Sequence, residues 1–179
     1  MTESKVINEI EFSFCPICGG KLERHPPKLL VCPACKVDHY INARPCNAVI
    51  LTDSEGRILL TERKFEPAAG LWDLPGGFID IGETAEESII REMQEELGIK
   101  VKNIKYLCSG QDRYNFKGIN YYTLGFVFTA EIESGEMIAK DDVEGFRFFA
   151  KNEIPWNSLA FPVLKKTLDI YYRQCKVNN

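Results

Sequence analysis

Two sets of side chains in this sequence have the types and spacing to do chemistry. The first is sulfur: Cys15-Pro16-Ile17-Cys18 and Cys32-Pro33-Ala34-Cys35 are two C-x-x-C pairs, with thirteen residues between Cys18 and Cys32. Two residues between thiolates let a tight turn offer both sulfurs to one ion, and a second such turn completes a tetrahedron. Gly19 and Gly20 follow the first pair, where that turn needs permissive backbone dihedrals. With four sulfurs the site is closed, so Zn2+ here is expected to hold structure rather than catalyse. Two disulfides, or four unrelated core thiols, are the competing reading. They suit an odd total of seven cysteines and a reducing compartment less well. His25 and His39 are read as ordinary polar residues, because four sulfurs already saturate the ion.

The second set is carboxylate. Between Gly77 and Ile99, Glu92, Glu95 and Glu96 return to one face at helical spacing, while Ile89, Ile90, Met93 and Leu97 take another. Thr84 and Glu87 form the Thr-x-x-Glu pattern of a helix start, and Gly98 marks its stop. Arg91 lies one turn after Glu87 and can hold either Glu87 or, across the preceding loop, Glu83. A solvated acidic face is the ordinary meaning of such a run. The alternative is an oxygen-ligand site for a hard divalent ion, Mg2+ or Mn2+, whose charge would offset the repulsion among the three glutamates.

The whole pattern decides between them. Gly77, five residues, Glu83, seven residues, then Arg91-Glu92-Met93-Gln94-Glu95-Glu96-Leu97-Gly98-Ile99 resembles the motif of the Nudix hydrolases without a gap. The resemblance covers roughly residues 45–175. It implies an α+β Nudix fold, a mixed sheet between helices, and the cysteine pairs ahead of it look like a small zinc ribbon. It also implies that Glu92, Glu95 and Glu96 bind Mg2+ or Mn2+, joined by the carbonyl of Gly76, and that Glu83 and Arg91 orient the helix. The implied reaction is attack of water on phosphorus in a nucleoside–phosphate–phosphate–X linkage, with Glu92 the first choice as base. A later loop offers a further base or ligand from Asp141, Asp142 or Glu144.

A ribbon followed by such a domain is similar to two groups within the family. The NADH pyrophosphatases carry a Ser-Gln-Pro-Trp-Pro-Phe-Pro-like run, which residues 109–116 do not match. Ribbon-bearing enzymes acting on FAD and ADP-ribose share wording like residues 66–72 and 153–161. The expected substrates are therefore FAD, ADP-ribose and NADH, in that order. Arg63 and Arg113 are candidates to meet phosphate, and Phe65, Trp72, Tyr114 and Phe116 to stack a ring; ordinary packing competes for each aromatic. Cys46, Cys108 and Cys175 are read as inert packing thiols.

The elements that must position these groups follow from pattern. Residues 1–44 form the ribbon, with 42–45 as linker, and residues 45–179 the catalytic domain. Strands are expected over 46–52 and 57–61 around a turn at 53–56, then at 71–74, 104–108, 121–132 and 145–149. Helices are expected over 84–97 and 161–174. The ribbon carries six bases and five acids, the rest sixteen and twenty-one, for a net charge of -4. That balance disfavours nucleic acid as the main partner and suits a small nucleotide bridged by divalent ions. No apolar stretch reaches membrane-spanning length and residues 1–5 lack a signal-peptide core, so a cytoplasmic protein is expected. The ribbon is expected to hold structure or to support a homodimer. Two other functions remain in view: a regulator using the fold as a nucleotide sensor, and a house-cleaning nucleoside triphosphate pyrophosphatase.

Overall fold

The computed structural model describes residues 13–26, 28–117 and 119–177; residues 1–5, read above for a leader, lie outside them. The chain divides into two compact units, residues 1–43 with 113–122, and residues 44–112 with 123–179. The break falls one residue before the expected boundary. The second segment, a hairpin tip that the sequence reading placed in the catalytic domain, groups with the N-terminal unit.

That unit holds a three-stranded antiparallel sheet, β1 (Glu23–His25), β2 (Leu29–Val31) and β3 (Asp38–Tyr40), in the order β1-β2-β3. Among its described residues only Leu30, Cys15 and Cys32 are buried apolar side chains. So small a core cannot offset the conformational entropy of ordering the segment, and cross-links or a metal must supply the difference.

The larger unit builds on β4 (Arg44–Leu51), β5 (Ile58–Arg63), β6 (Trp72–Asp73), α1 (Ala85–Leu97), β7 (Lys100–Phe116), β8 (Ile119–Ser134), β9 (Val143–Phe149) and α2 (Pro162–Val177). The expected α+β architecture with mixed strand directions is present, divided between two three-stranded sheets. One runs β4-β8-β7, with β4 and β8 parallel; the other runs β6-β5-β9, all antiparallel. Arg44 and Pro45 already belong to β4 rather than to a linker. The turn at 53–56 forms as expected: Gly56 N–H donates to the Asp53 carbonyl, and the Asp53 carboxylate accepts from Arg57.

The apolar runs of β4 and β5 do not alternate with polar residues because both faces are covered. Val49, Leu51 and Leu59 join Ile89, Met93 and Leu97 of α1 in one cluster. Ile50, Ile58 and Leu60 join Leu164 and Leu168 of α2 in another. Trp72, a candidate for ring stacking, packs against this second cluster and meets Phe149 edge-on at 4.9 Å.

The helix α1 starts and stops where expected. Thr84 caps it with the reciprocal Glu87 bonds of a capping box, and Gly98 closes it at φ 70°. One face assignment changes. Ile89 is fully buried while Ile90, expected beside it, is half exposed. Ser88 and Glu96 are buried instead, beside Ile89, Met93 and Leu97.

Truncating the two isoleucines should separate the faces. Ile89→Ala is expected to cost about 2–5 kcal/mol in urea unfolding, as for other buried methyl deletions, and Ile90→Ala well under ~1 kcal/mol. Equal losses would mean that the helix is rotated from the position described.

Candidate functional site

The four expected cysteines come together. Their sulfurs all lie within 4.8 Å of one another, with Cys15 and Cys35 at 3.7 Å and Cys18 and Cys32 at 3.5 Å. Each C-x-x-C closes on itself in the same way. The Gly19 N–H donates to the Cys15 carbonyl and the Lys36 N–H to the Cys32 carbonyl, at 2.9 and 2.8 Å. Gly19 and Lys36 both sit in the left-handed region, at φ 74° and 63°. Gly20 matters for space: a Cβ there would stand 3.3 Å from both Cys18 Sγ and Cys32 Sγ.

Burial opposes ionisation of Cys15, but the N–H groups of Cys18 and Ile17 win and bring that thiol down to about 6. Cys35, although helped by the Val37 N–H, is pushed up to about 12 by burial and the neighbouring sulfurs. Four sulfurs so close cannot share negative charge without a cation, so the donor set fits a metal ion. His39 stays outside the four-sulfur group, as expected, and its Nε2 lies 3.3 Å from Cys15 Sγ as a hydrogen-bond partner. Cys46 and Cys108 are partly buried with thiols raised by burial, as packing thiols should be, but Cys175 is exposed.

In the larger unit the loop before α1 and the helix itself are tied by Arg91. Its guanidinium grips Glu83 with two bonds of 2.7 and 3.0 Å, and donates to Glu92 and Glu95 at 2.9 Å each. It also reaches the Phe78 carbonyl and Ser88 Oγ, both at 3.1 Å. Of the two partners expected for Arg91, Glu83 is the one used; Glu87 is committed to Thr84. The bonds from Arg91 hold the Glu83 carboxyl down at about 2.

The three glutamates of the motif are not equivalent. Glu92 and Glu96 turn inward, whereas Glu95 remains about half exposed against Arg91. Glu96 is 5% exposed and accepts the Gly76 N–H at 3.0 Å. Burial, and then the charge of Asp142, push its carboxyl up to about 9. Burial also raises Glu92, against the pull of Arg91. Two inward carboxylates lifted in this way describe a site short of positive charge, which a divalent cation would supply. Their sulfur counterparts already cluster; the three glutamate oxygens, among the described residues, do not form such a set.

Glycine at 76 and 77 is a requirement of the site. Gly76 has φ 136°, and a Cβ there would stand 2.6 Å from the Asn47 carbonyl. A Cβ on Gly77 would overlap the Glu92 carboxylate. The turn is fixed to β4, where the Asn47 N–H donates to the Gly77 carbonyl and the Val49 N–H to the Pro75 carbonyl.

Beside Gly76 and Glu96 opens a small cleft, lined also by Thr61, Arg63, Asp73, Leu74, Asp142 and Val143. Asp142 is there because its loop is stitched to α1 and β5. The Lys140 N–H donates to the Glu96 carbonyl, the Ile138 N–H to the Leu97 carbonyl, and the Lys64 N–H to the Asp142 carbonyl. These bonds also satisfy the carbonyls that a helix end leaves open. Glu144 and Asp141 do not line the cleft. Arg63 does, held by Asp73 at 3.1 Å and by the Pro67 carbonyl at 2.8 Å, with its guanidinium 5.2 Å from the Phe161 ring centroid. Asp73, which sequence reasoning missed, is raised by burial despite Arg63. Phe65 is exposed beneath Lys64, and Arg113 lies in the other unit, on the hairpin.

This geometry has a family. The NUDIX domain model matches residues 43–169, and the chain belongs to the Nudix family. A Nudix hydrolase structure from Nitrosomonas europaea is 30% identical, covers 88% of each chain and superposes with a TM-score of 0.71. The NAD-capped RNA hydrolase NudC of Pseudomonas aeruginosa is 27% identical over 88% of this chain and 55% of its own length. The ADP-ribose pyrophosphatase of Methanocaldococcus jannaschii is 38% identical over 62% of this chain and 63% of its own. The chain therefore spans little more than half the length of the first of these curated relatives. Nudix hydrolases use divalent metal. No helix among the described residues is long and apolar enough to cross a membrane.

The Glu83–Arg91 pair gives the fold a pH signature. A carboxyl lowered on folding contributes stability that is complete above its unfolded value, near 4.5, and is lost as pH falls through about 2. Replacing Glu83 by Gln should flatten the acid limb of the melting temperature between those values. An unchanged limb in the variant would show that another carboxylate carries it.

Proposed function

We propose that the protein is a divalent-metal-dependent pyrophosphatase that opens the phosphoanhydride of an ADP-ribose-type nucleoside diphosphate. The observation that carries this reading is the convergence of Glu92 and Glu96 on Gly76-Gly77, with both carboxyls raised by burial. Glu92, Glu95 and Glu96, with the Gly76 carbonyl, would hold Mg2+ or Mn2+. Those ions would neutralise phosphate oxygens and make the attacking water more acidic. Water attacks one phosphorus, the P–O–P bridge breaks, and the products are a nucleoside monophosphate and a second phosphate ester.

Glu92 suits the base. Arg91 occupies one of its oxygens, and burial moves its carboxyl toward the working pH of a general base. Asp142, on the exposed rim of the cleft, is better placed to add a ligand than to carry the proton. Arg63 is held rigid by Asp73 and Pro67 and would present its remaining donors to a substrate phosphate.

ADP-ribose moves ahead of FAD in this reading. The two substrates named by the curated relatives, ADP-ribose and an NAD cap, share the ADP-ribose moiety. We also propose that the four-sulfur cluster holds zinc in a structural role and that the protein works in a reducing, cytoplasmic compartment.

Turnover of ADP-ribose, NADH, FAD, NAD-capped RNA and nucleoside triphosphates with Mg2+ or Mn2+ tests the reading. ADP-ribose should be fastest. Glu96→Gln should lose most activity, Glu92→Gln about 10²–10⁴-fold, and Asp142→Asn much less. Turnover that survives Glu96→Gln would remove that carboxylate from the site, and no turnover of any substrate would favour a sensing role.

The zinc assignment is checked separately. Cys15→Ser with Cys18→Ser should remove bound zinc, measured by metal analysis, and unfold the N-terminal sheet. Unchanged zinc and stability would refute it.

A further inference from the structure

A third polar side chain faces the Gly76-Gly77 turn, and neither the motif nor the proposed mechanism uses it. Asn47 lies on β4 and is 5% exposed. Strand alternation puts it on the face shared by Val49 and Leu51, which pack on Ile89, Met93 and Leu97 of α1. Its carboxamide therefore points under the helix that carries the glutamates. Its Oδ1 lies 2.8 Å from where a Cβ on Gly76 would stand, so oxygen and turn are in direct contact.

Among the described residues, neither Asn47 Oδ1 nor Nδ2 has a hydrogen-bond partner. A buried carboxamide with both ends unsatisfied is rare and costly, whereas Leu or Val at this place would extend the core without penalty. The strand backbone does not need the polar group, since Asn47 N–H is already bonded to the Gly77 carbonyl. The cost is recovered only when something polar arrives. Glu96 reaches the same turn, bonded to the Gly76 N–H, and Glu92 abuts Gly77.

We infer that Asn47 is an uncharged member of the divalent-cation site, its carboxamide oxygen serving the ion or a water on it. This rests on the reading of Glu92 and Glu96 as ligands given above. The chemistry suits the position. Oxygen is the donor that Mg2+ and Mn2+ take, and a neutral oxygen adds coordination without adding a further negative charge to carboxyls already raised by burial. A third inward carboxylate there would meet the same desolvation that lifts Glu96.

Binding of Mn2+ alone to the full-length protein, without substrate, tests this by titration calorimetry or by the Mn2+ spin-resonance signal. Asn47→Leu should weaken Mn2+ about ten- to a hundredfold, while the metal-free protein melts at the same temperature or higher. Asn47→Ala, which adds no bulk, should show the same loss if leucine disturbs the fold. Asn47→Asp, which keeps the oxygen, should bind at least as tightly as the parent. Parent-like Mn2+ affinity in Asn47→Leu or Asn47→Ala would overturn the inference. So would a drop in melting temperature equal with and without Mn2+ at unchanged affinity, the mark of a merely structural residue. Glu96→Gln is measured alongside. If it lowers affinity and Asn47→Leu does not, only the role of Asn47 falls. If Glu96→Gln binds like the parent, the underlying metal site falls with it.

Discussion

One guanidinium organises the acidic site of the larger unit. Arg91 has a planar fork of donors, and the structure uses it on both oxygens of Glu83, on Glu92, on Glu95, and on the Phe78 carbonyl. Lysine could not replace it, since an ammonium offers a point charge rather than a fork. The bonds to Glu83 and Phe78 close the loop that leads into α1, while those to Glu92 and Glu95 offset repulsion along the helix. A loop that carries Gly76-Gly77 is thus fixed against the helix that carries Glu96. The site's acidic groups and its backbone are held by the same residue.

That arrangement makes unequal use of three glutamates. Arg91 spends its charge on Glu92 and Glu95, at the edge of the site, and leaves Glu96 with a single backbone N–H. Glu96 is also the most buried, and Asp142 adds like charge beside it. The deficit is therefore concentrated at one end of the helix face, next to Gly76. Desolvation and like charge both point to the same spot, and both are relieved by a cation there. This is how a site can be prepared for metal without the three carboxylates standing preassembled.

Much of this was legible in the sequence because it depends on local order. A capping box, a left-handed glycine and a fixed spacing of arginine and glutamates need nothing beyond one helix and one loop, and they were read as they stand. What escaped depended on partners distant in the chain. Ile90 obeys helical periodicity as well as Glu96 does, but it is Glu96 that meets the Gly76 N–H and is buried. Asp142 and Glu144 are indistinguishable by type; only the stitching of 138–140 to the carbonyls of Glu96 and Leu97 decides which one reaches the cleft. Asp73 sits in a short strand whose neighbours are set by β5. Counting ligands left His39 outside the sulfur group, as it is, but could not show that its ring pairs with Cys15. The strands expected over 104–108 and 121–132 are present but longer, as β7 of 17 residues and β8 of 16; the full extent of β7 was missed because much of it faces solvent.

The same contrast separates chemistry from specificity. The residues proposed above to carry the reaction, from Gly76 to Glu96, occupy one continuous stretch, so a motif can capture them. The residues that could select a substrate do not. Arg63 and Asp73 come from β5 and β6, Asp142 from the loop before β9, and Phe161 from the approach to α2. Each is held by contacts of its own: Arg63 by Asp73 and the Pro67 carbonyl, and Asp142 through its backbone to Lys64. Changing one of these loops would alter the mouth of the cleft without moving Glu92 or Glu96, whose positions depend on Arg91 and the helix core. A shared reaction with divergent substrates is the expected consequence of placing the two functions on separately anchored parts of the fold. Trp72 marks the limit of that freedom: its backbone is bonded to Ser158 and Ala160 and its ring is packed on Phe149, so the strand that carries Asp73 cannot shift independently of the core.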